Sequence, residues 1–388
     1  MTVPFRRTGR CLWPPSTARL GRPGAPSNRA YLRDRLIALP LLCVLAFASL
    51  SWAYGQVRGD AERVRGELAP ALVDLADARA SVRIAQQEAQ SSLRGGAAAE
   101  LAGLGEVYRK RISRATLALG RVARGGALDV GQQQELQVVS ALLDDYGTWV
   151  EQAEGHAADP VLRDAELMYA WTMLCSAPPP DPARPTPAGT FPRCSVAGRA
   201  PAGADASTIV DRITGLEGEL GARLAARAGW GTPVVGAAAV AAVAFVLLAL
   251  GLWRTLRFLR LRFRVSVCLP LALMGVVLLL VPLPVADAVL VRRALHQVAG
   301  SASALAERTS PAVEAAEARD PFGTPPRDSV RGRSTAIGHQ LSAGQLPPLD
   351  DARHLILPAG LLCATAAALT LYAFRREYVL VSRPGAGS

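Results

Sequence analysis

The chain has 388 residues, half of them hydrophobic and only 19% Asp, Glu, Lys or Arg, and its formal net charge is +11. A composition this apolar argues against a purely water-soluble protein and directs the reading to the membrane class. The positive charge does not point to nucleic acid, because it is gathered in short segments and no folded reading element accompanies it.

Residues 1–35 carry eight arginines against Asp34, with prolines at 4, 14, 15, 23 and 26, and read as a basic, disordered tail. The first charge-free run, LIALPLLCVLAFASLSWAYG, covers residues 36–55. Three more follow at 232–253, 266–286 and 355–374. At a rise of about 1.5 Å per residue, each matches a hydrocarbon layer of roughly 30 Å, so the fold class is all-α, a polytopic membrane protein with four transmembrane helices. A cleaved signal peptide is the alternative for the first run. It is longer than a signal core and follows a long basic region, so it reads as an uncleaved anchor.

Arginine placement sets the orientation. The tail, the link at 254–265 with five arginines and no acid, and residues 375–388 with three arginines against Glu377 form the cytoplasmic side. Residues 56–231 hold 19 basic and 22 acidic side chains, and the loop at 287–354 is nearly balanced, so both fall outside. Anionic lipid of the inner leaflet is the expected partner of the basic segments.

Within 56–231 a helical stripe runs through Val64, Leu68, Leu72, Leu75, Ala78, Val82 and Ala85, with Pro70 as a potential kink. Gly95–Gly96, Gly125–Gly126, and Gly155 with Pro160 separate further helices. A last helix carries Ile209, Ile213, Leu216, Leu220 and Leu224, with Asp205 or Ser207 as N-cap and Gly231 as hinge to the second span. The first and last helices grow from adjacent spans, and burying their stripes calls for an extracytoplasmic helical bundle. The second external loop, 287–354, reads as partly helical.

Cys175 and Cys194 bracket a proline-rich stretch outside the membrane and are expected to form a disulfide. The other four cysteines lie in the tail or in spans, where single thiols pack as small apolar groups.

The segment DLADARASVRIAQQEA, Asp74 to Ala89, lies in a helix leaving one span, and a final helix returns to another. With that arrangement, residues 55–231 resemble the extracytoplasmic four-helix-bundle sensor domains of bacterial chemoreceptors and histidine kinases. The resemblance implies a small-molecule or protein ligand read by the bundle and passed along stalk helices, in a bacterial plasma membrane. That family couples its second span to a long cytoplasmic module. Here the sequence offers the short link and 14 residues of tail, so a signal would pass to a separate membrane or envelope partner, or within a homo-oligomer.

Chemistry-bearing motifs are sparse. Asp287 is the one ionisable residue beside a span and is expected as an outer-mouth carboxylate near Arg292 and Arg293, with an ion contact as the sharper reading. Tyr146 and Trp149, and Met168 and Trp171, each sit one turn apart; core filling is the ordinary reading and a ligand pocket between helices the functional one. Four scattered histidines, no HExxH, no GxSxG and no phosphate loop give no catalytic residue, metal site or cofactor. The expected role is a non-enzymatic, sensor-like or scaffold component of the envelope. A transporter, or an accessory subunit of one, is the alternative.

Overall fold

In the computed structural model, residues 28–93, 105–175, 208–263, 269–307, 332, 336–337, 339 and 352–376 are described, and among them there is helix and no strand. They form α1 (Asn28–Arg63), a π-helical turn (Val64–Leu68), α2 (Ala69–Leu93), α3 (Glu106–Arg124), α4 (Val130–Gly155), α5 (Pro160–Leu174), α6 (Ile209–Ala228), α7 (Thr232–Phe263), α8 (Leu269–Leu280), α9 (Pro282–Glu307) and α10 (Ala352–Arg375). Four helical stretches are long and apolar enough to cross a membrane: Asp34–Leu93, Ile209–Arg257, Met274–Ser301 and His354–Ala373.

The expected kink at Pro70 takes the form of the π turn just before it. Proline has no N–H, and its ring would collide with the carbonyl four residues back in a regular helix. Widening the preceding turn, so that the Ala69 N–H donates to the Val64 carbonyl, absorbs the misfit without ending the helix. The third span departs from expectation more sharply. Read as one helix over 266–286, it is two, because Val281 forms a turn and Pro282 opens α9, a position where a missing N–H costs nothing.

The chain divides into two units, 1–59 with 230–291 and 345–388, and 60–229 with 292–344. The first unit is built on the apolar helices. Leu39, Cys43, Phe47 and Leu50 of α1 pack with Ala241 and Leu248 of α7, Met274 of α8, and Cys363, Ala364 and Leu371 of α10. Phe47 meets Phe245 edge to face, centroids 5.2 Å apart. On its other side Phe47 lies against Gly360, where an added Cβ would stand 2.4 Å from the phenylalanine Cβ. Gly360 and Ala364 thus form a small buried face on α10; on α7, Ala241 and Ala244 are buried while Ala238 and Ala242 are exposed. In the most apolar window of each spanning stretch a third of the residues or fewer are buried. Ile37, Leu41, Val243, Leu279 and Leu362 point outward, as lipid-facing side chains do.

The second unit is a helical bundle. Helix α2 packs along α3, α4 along α5, and α6 lies against both α2 and α4. Helices α2 and α3 are antiparallel, since Asp77 pairs with Arg114 and Asp74 with Arg121. Local sequence sets the ends. Gly126, at φ +71°, makes the turn between α3 and α4. Asp129 and Gln132 then form a capping box, the Asp129 carboxylate accepting from the Gln132 N–H at 2.9 Å. Asp159 caps α5 ahead of Pro160. The N-cap of α6 is Thr208: its hydroxyl accepts from the Asp211 N–H at 3.3 Å and donates to the Asp211 carboxylate at 2.7 Å. The expected caps Asp205 and Ser207 lie outside the described residues, as do the basic tail through residue 27 and much of the loop at 287–354.

Candidate functional site

Three polar clusters stand out against the apolar packing. The first belongs to the membrane-type unit. Asp287 of α9 is fully buried, and its Oδ2 accepts from the Tyr54 hydroxyl and from Arg58 Nη2, each at 2.8 Å. Arg58 Nε donates to the Tyr54 oxygen at 3.1 Å, so the three side chains close a ring of hydrogen bonds. Arg58 and Tyr54 hold Asp287, and Arg292 Nη2 donates to Asp60 at 3.1 Å within the other unit. Arg227 shares that acid at 3.7 Å and offers its own carbonyl to Arg292. The missed signal is legible in hindsight: Tyr54 and Arg58 are one turn apart at the end of the first apolar run, on one helix face.

The second cluster lies in the bundle interior. Arg79 of α2 and Glu217 of α6 form an ion pair at 3.0 Å with 3% of each side chain exposed. Neither Glu217 carboxylate oxygen completes a hydrogen bond among the described residues. Burial pushes the Glu217 carboxyl up to about 7, against the opposing pull of Arg79. Two turns along α2, Gln86 accepts from the Tyr146 hydroxyl at 2.7 Å, and Gln132 donates to Glu219 at 2.6 Å. Arg79 is four residues from Leu75 and three from Val82, and Glu217 is four from Ile213 and three from Leu220. Charged side chains at stripe positions were therefore readable from spacing.

The four aromatic and sulfur residues proposed from the sequence divide. Tyr146 and Trp171 are buried. Met168 is exposed, and Trp149 stacks with Tyr169 at 4.5 Å and an interplanar angle of 44°. Cys175 is buried where α5 ends, and Cys194 lies outside the described residues. Among the described residues no three His, Cys, Asp or Glu side chains converge.

The third cluster is a cleft of about 610 Å³ along the α2–α3 seam, lined by Asp77, Glu106, Arg109, Lys110, Ser113, Arg114, Leu117 and Arg121. Lys110 pairs with Glu106 at 2.7 Å, Arg114 with Asp77 at 2.8 Å, and Arg121 with Asp74 at 2.7 Å. Leu117 is 62% exposed between them.

Both the cleft and the α2 side of the buried pair fall within residues 60–177, which match the family described as an actinobacterial sensor domain. No curated protein matches the chain, and no solved structure does. The match covers under a third of the chain and ends just after α5. The chain is thus an all-helical protein with four helices apolar enough to cross a membrane and a region similar to an actinobacterial sensor domain.

Proposed function

We propose that this protein is a multi-pass plasma-membrane sensor in which residues 56–231 lie outside, both termini and the 254–265 link lie inside, and the output passes through protein contacts without catalysis. The observation that carries the reading is the placement of the sensor-domain match, residues 60–177, directly after the first apolar run on a helical path unbroken from Asn28 to Leu93. A helix shared by a sensing region and a membrane span can shift or rotate as one element, which is how a small bias at a ligand site becomes a displacement elsewhere. Helix α6 supplies the return path and is interrupted only at Gly229–Gly231 before α7. In this reading Cys175 and Cys194 bridge the proline-rich stretch outside, the arginine-rich segments contact anionic lipid, and the partner is a separate membrane or envelope protein or a second copy.

The test is purification of the intact chain in mild detergent with identification of what accompanies it. A stoichiometric membrane signalling protein is the expected result. A chain that purifies alone as a monomer, with an envelope response unchanged by its deletion, would overturn the reading. The transporter reading is favoured by one observation, the Arg58–Asp287 pair buried within a mainly apolar helical unit. Solute uptake that disappears with Asp287→Asn while the partner still co-purifies would favour it over sensing.

A further inference from the structure

Helix α5 inverts the usual pattern of a surface helix. Its charged Arg163 and Glu166 are buried, whereas Val161, Leu162, Met168 and Tyr169 are exposed, Val161 by 80% and Tyr169 by 55%. Ala165 and Thr172 are exposed on the same face, so the outward side of α5 is almost wholly apolar. The rotation is fixed from inside: His156 Nδ1 lies 3.0 Å from the Glu166 carboxylate, and Arg163 donates to Asp164 at 3.1 Å and to the Ala157 carbonyl at 3.5 Å. Trp149, stacked on Tyr169, carries the surface across to α4. A contiguous apolar patch rimmed by polar residues marks an interaction site.

The charge around the patch selects the occupant. Residues 130–175 hold eight acids and one arginine, Arg163. Asp145, one turn before Trp149, is exposed and makes no ion pair among the described residues, and the same holds for Asp144 and Asp159. Pairing the patch with its own image would gather these carboxylates with no cation to meet them, so its complement is basic. Within the bundle the basic element is α3, which has six cations and one acid; α2 and α3 together hold eight cations against four acids. Lys110, Arg114, Leu117, Arg121 and Arg124 share one face of α3, with Leu117 62% exposed in the middle. Arginine suits the patch for a second reason: its aliphatic stem covers apolar surface, and its planar head stacks on rings such as Tyr169 and Trp149. Helix α3 is held by α2 and α4, and α5 by α4 and α6, so the two faces lie on different flanks and are presented together.

We propose that the protein associates with itself head to tail, the basic α3 face of one copy docking on the acid-edged apolar face that α5 and Trp149 form in the next. Because the two surfaces differ, the contact is heterologous and repeats along a row or closes into a ring. This deepens the sensor reading by choosing a second copy as the partner, and rests on that reading only for protein contact being the output.

Sedimentation of the full-length protein in density-matched neutral detergent tests the proposal. The wild type is expected to form dimers and larger assemblies, and raising sodium chloride to about 0.5 M should weaken them by about tenfold. Leu117→Glu spoils the α3 face and Met168→Arg the α5 face, and each should weaken association by at least about tenfold. Mixed in equal amounts, the two variants should form a dimer and stop there, because each keeps the face that the other lacks. Asp145→Arg, at the edge of the patch, is a second α5-face variant and should weaken association by about threefold or more. All three sites are at the surface, so unchanged thermal unfolding is expected and separates lost contact from lost fold. A monomeric wild type, association indifferent to salt, a variant that assembles as the wild type does, or a mixture that stays monomeric would overturn the proposal. A monomeric wild type that retains a basic partner protein, lost in Met168→Arg, would give the surface to that partner and equally overturn self-association. In that outcome the sensor reading stands, and assembly can hold in a chain whose deletion leaves the envelope response unchanged, so the two fail separately.

Discussion

The membrane-type unit and the bundle each bury an arginine–carboxylate pair, and they finish it differently. Asp287 receives a hydroxyl and a guanidinium on one oxygen, and the same guanidinium bonds that hydroxyl. Glu217 has the Arg79 guanidinium at 3.0 Å and no hydrogen bond completing its carboxylate among the described residues. Desolvation of a charge is repaid only by good geometry and further hydrogen bonds. The first cluster therefore acts as a fixed joint between α1 and α9. The second sits near the point where its charge is lost, between the helices that lead to the first and second spans.

The largest effect should come from breaking the fixed joint. Asp287→Ala removes the carboxylate that the buried Arg58 meets at 2.8 Å, and breaking a buried pair of this kind costs about 3–5 kcal/mol. The double replacement Arg58→Met with Asp287→Leu should recover most of that loss. Thermal unfolding of the detergent-solubilised protein reads both, and a neutral Asp287→Ala would show that the joint does not hold the unit together.

Next in size is the close approach at Gly360. Adding a methyl group there drives it to 2.4 Å from Phe47 Cβ, and overpacking of this kind costs about 1–3 kcal/mol. Combining Gly360→Ala with Phe47→Gly, which removes the Cβ it would meet, should cost less than the sum of the two single losses. If Gly360→Ala unfolds at the wild-type temperature, the two helices do not pack through that contact.

Glu217 gives a smaller effect that depends on pH. Its folded carboxyl keeps the proton to about 7, whereas the ordinary value is 4.5, so the folded state binds more protons in between. The group's stabilising contribution is full below about 4.5 and is lost as pH rises through 7. Glu217→Gln mimics the protonated form, so its stability advantage over wild type should grow from pH 5 to pH 8. A gap that stays constant across that range would show that Glu217 does not titrate there. The smallest effect is expected from Thr208→Ala, which removes the α6 cap at a cost of about 1 kcal/mol; an unchanged unfolding temperature would put the start of α6 elsewhere.

The helices were legible because apolar spacing and glycine punctuation speak directly of burial: the stripe from Val64 to Ala85, the break at Gly125–Gly126 and the start at Pro160 all hold. The break at Val281 was less legible, since hydropathy counts apolar residues and does not see that Pro282 opens a new helix. Tyr54 and Arg58 of α1, which hold Asp287, stand more than 200 residues from it in the chain. Sequence distance says nothing about which helices meet.

Everything proposed about sensing requires the bundle to face away from the cytoplasm. A cysteine placed at Ala158, exposed between α4 and α5, and one at Arg257, exposed in α7, can be treated in intact cells with a membrane-impermeant maleimide, the unsubstituted chain serving as background. Ala158→Cys should be labelled at once, and Arg257→Cys only after the membrane is permeabilised. Labelling of Arg257→Cys alone in intact cells would invert the topology and remove the ground for an external sensor.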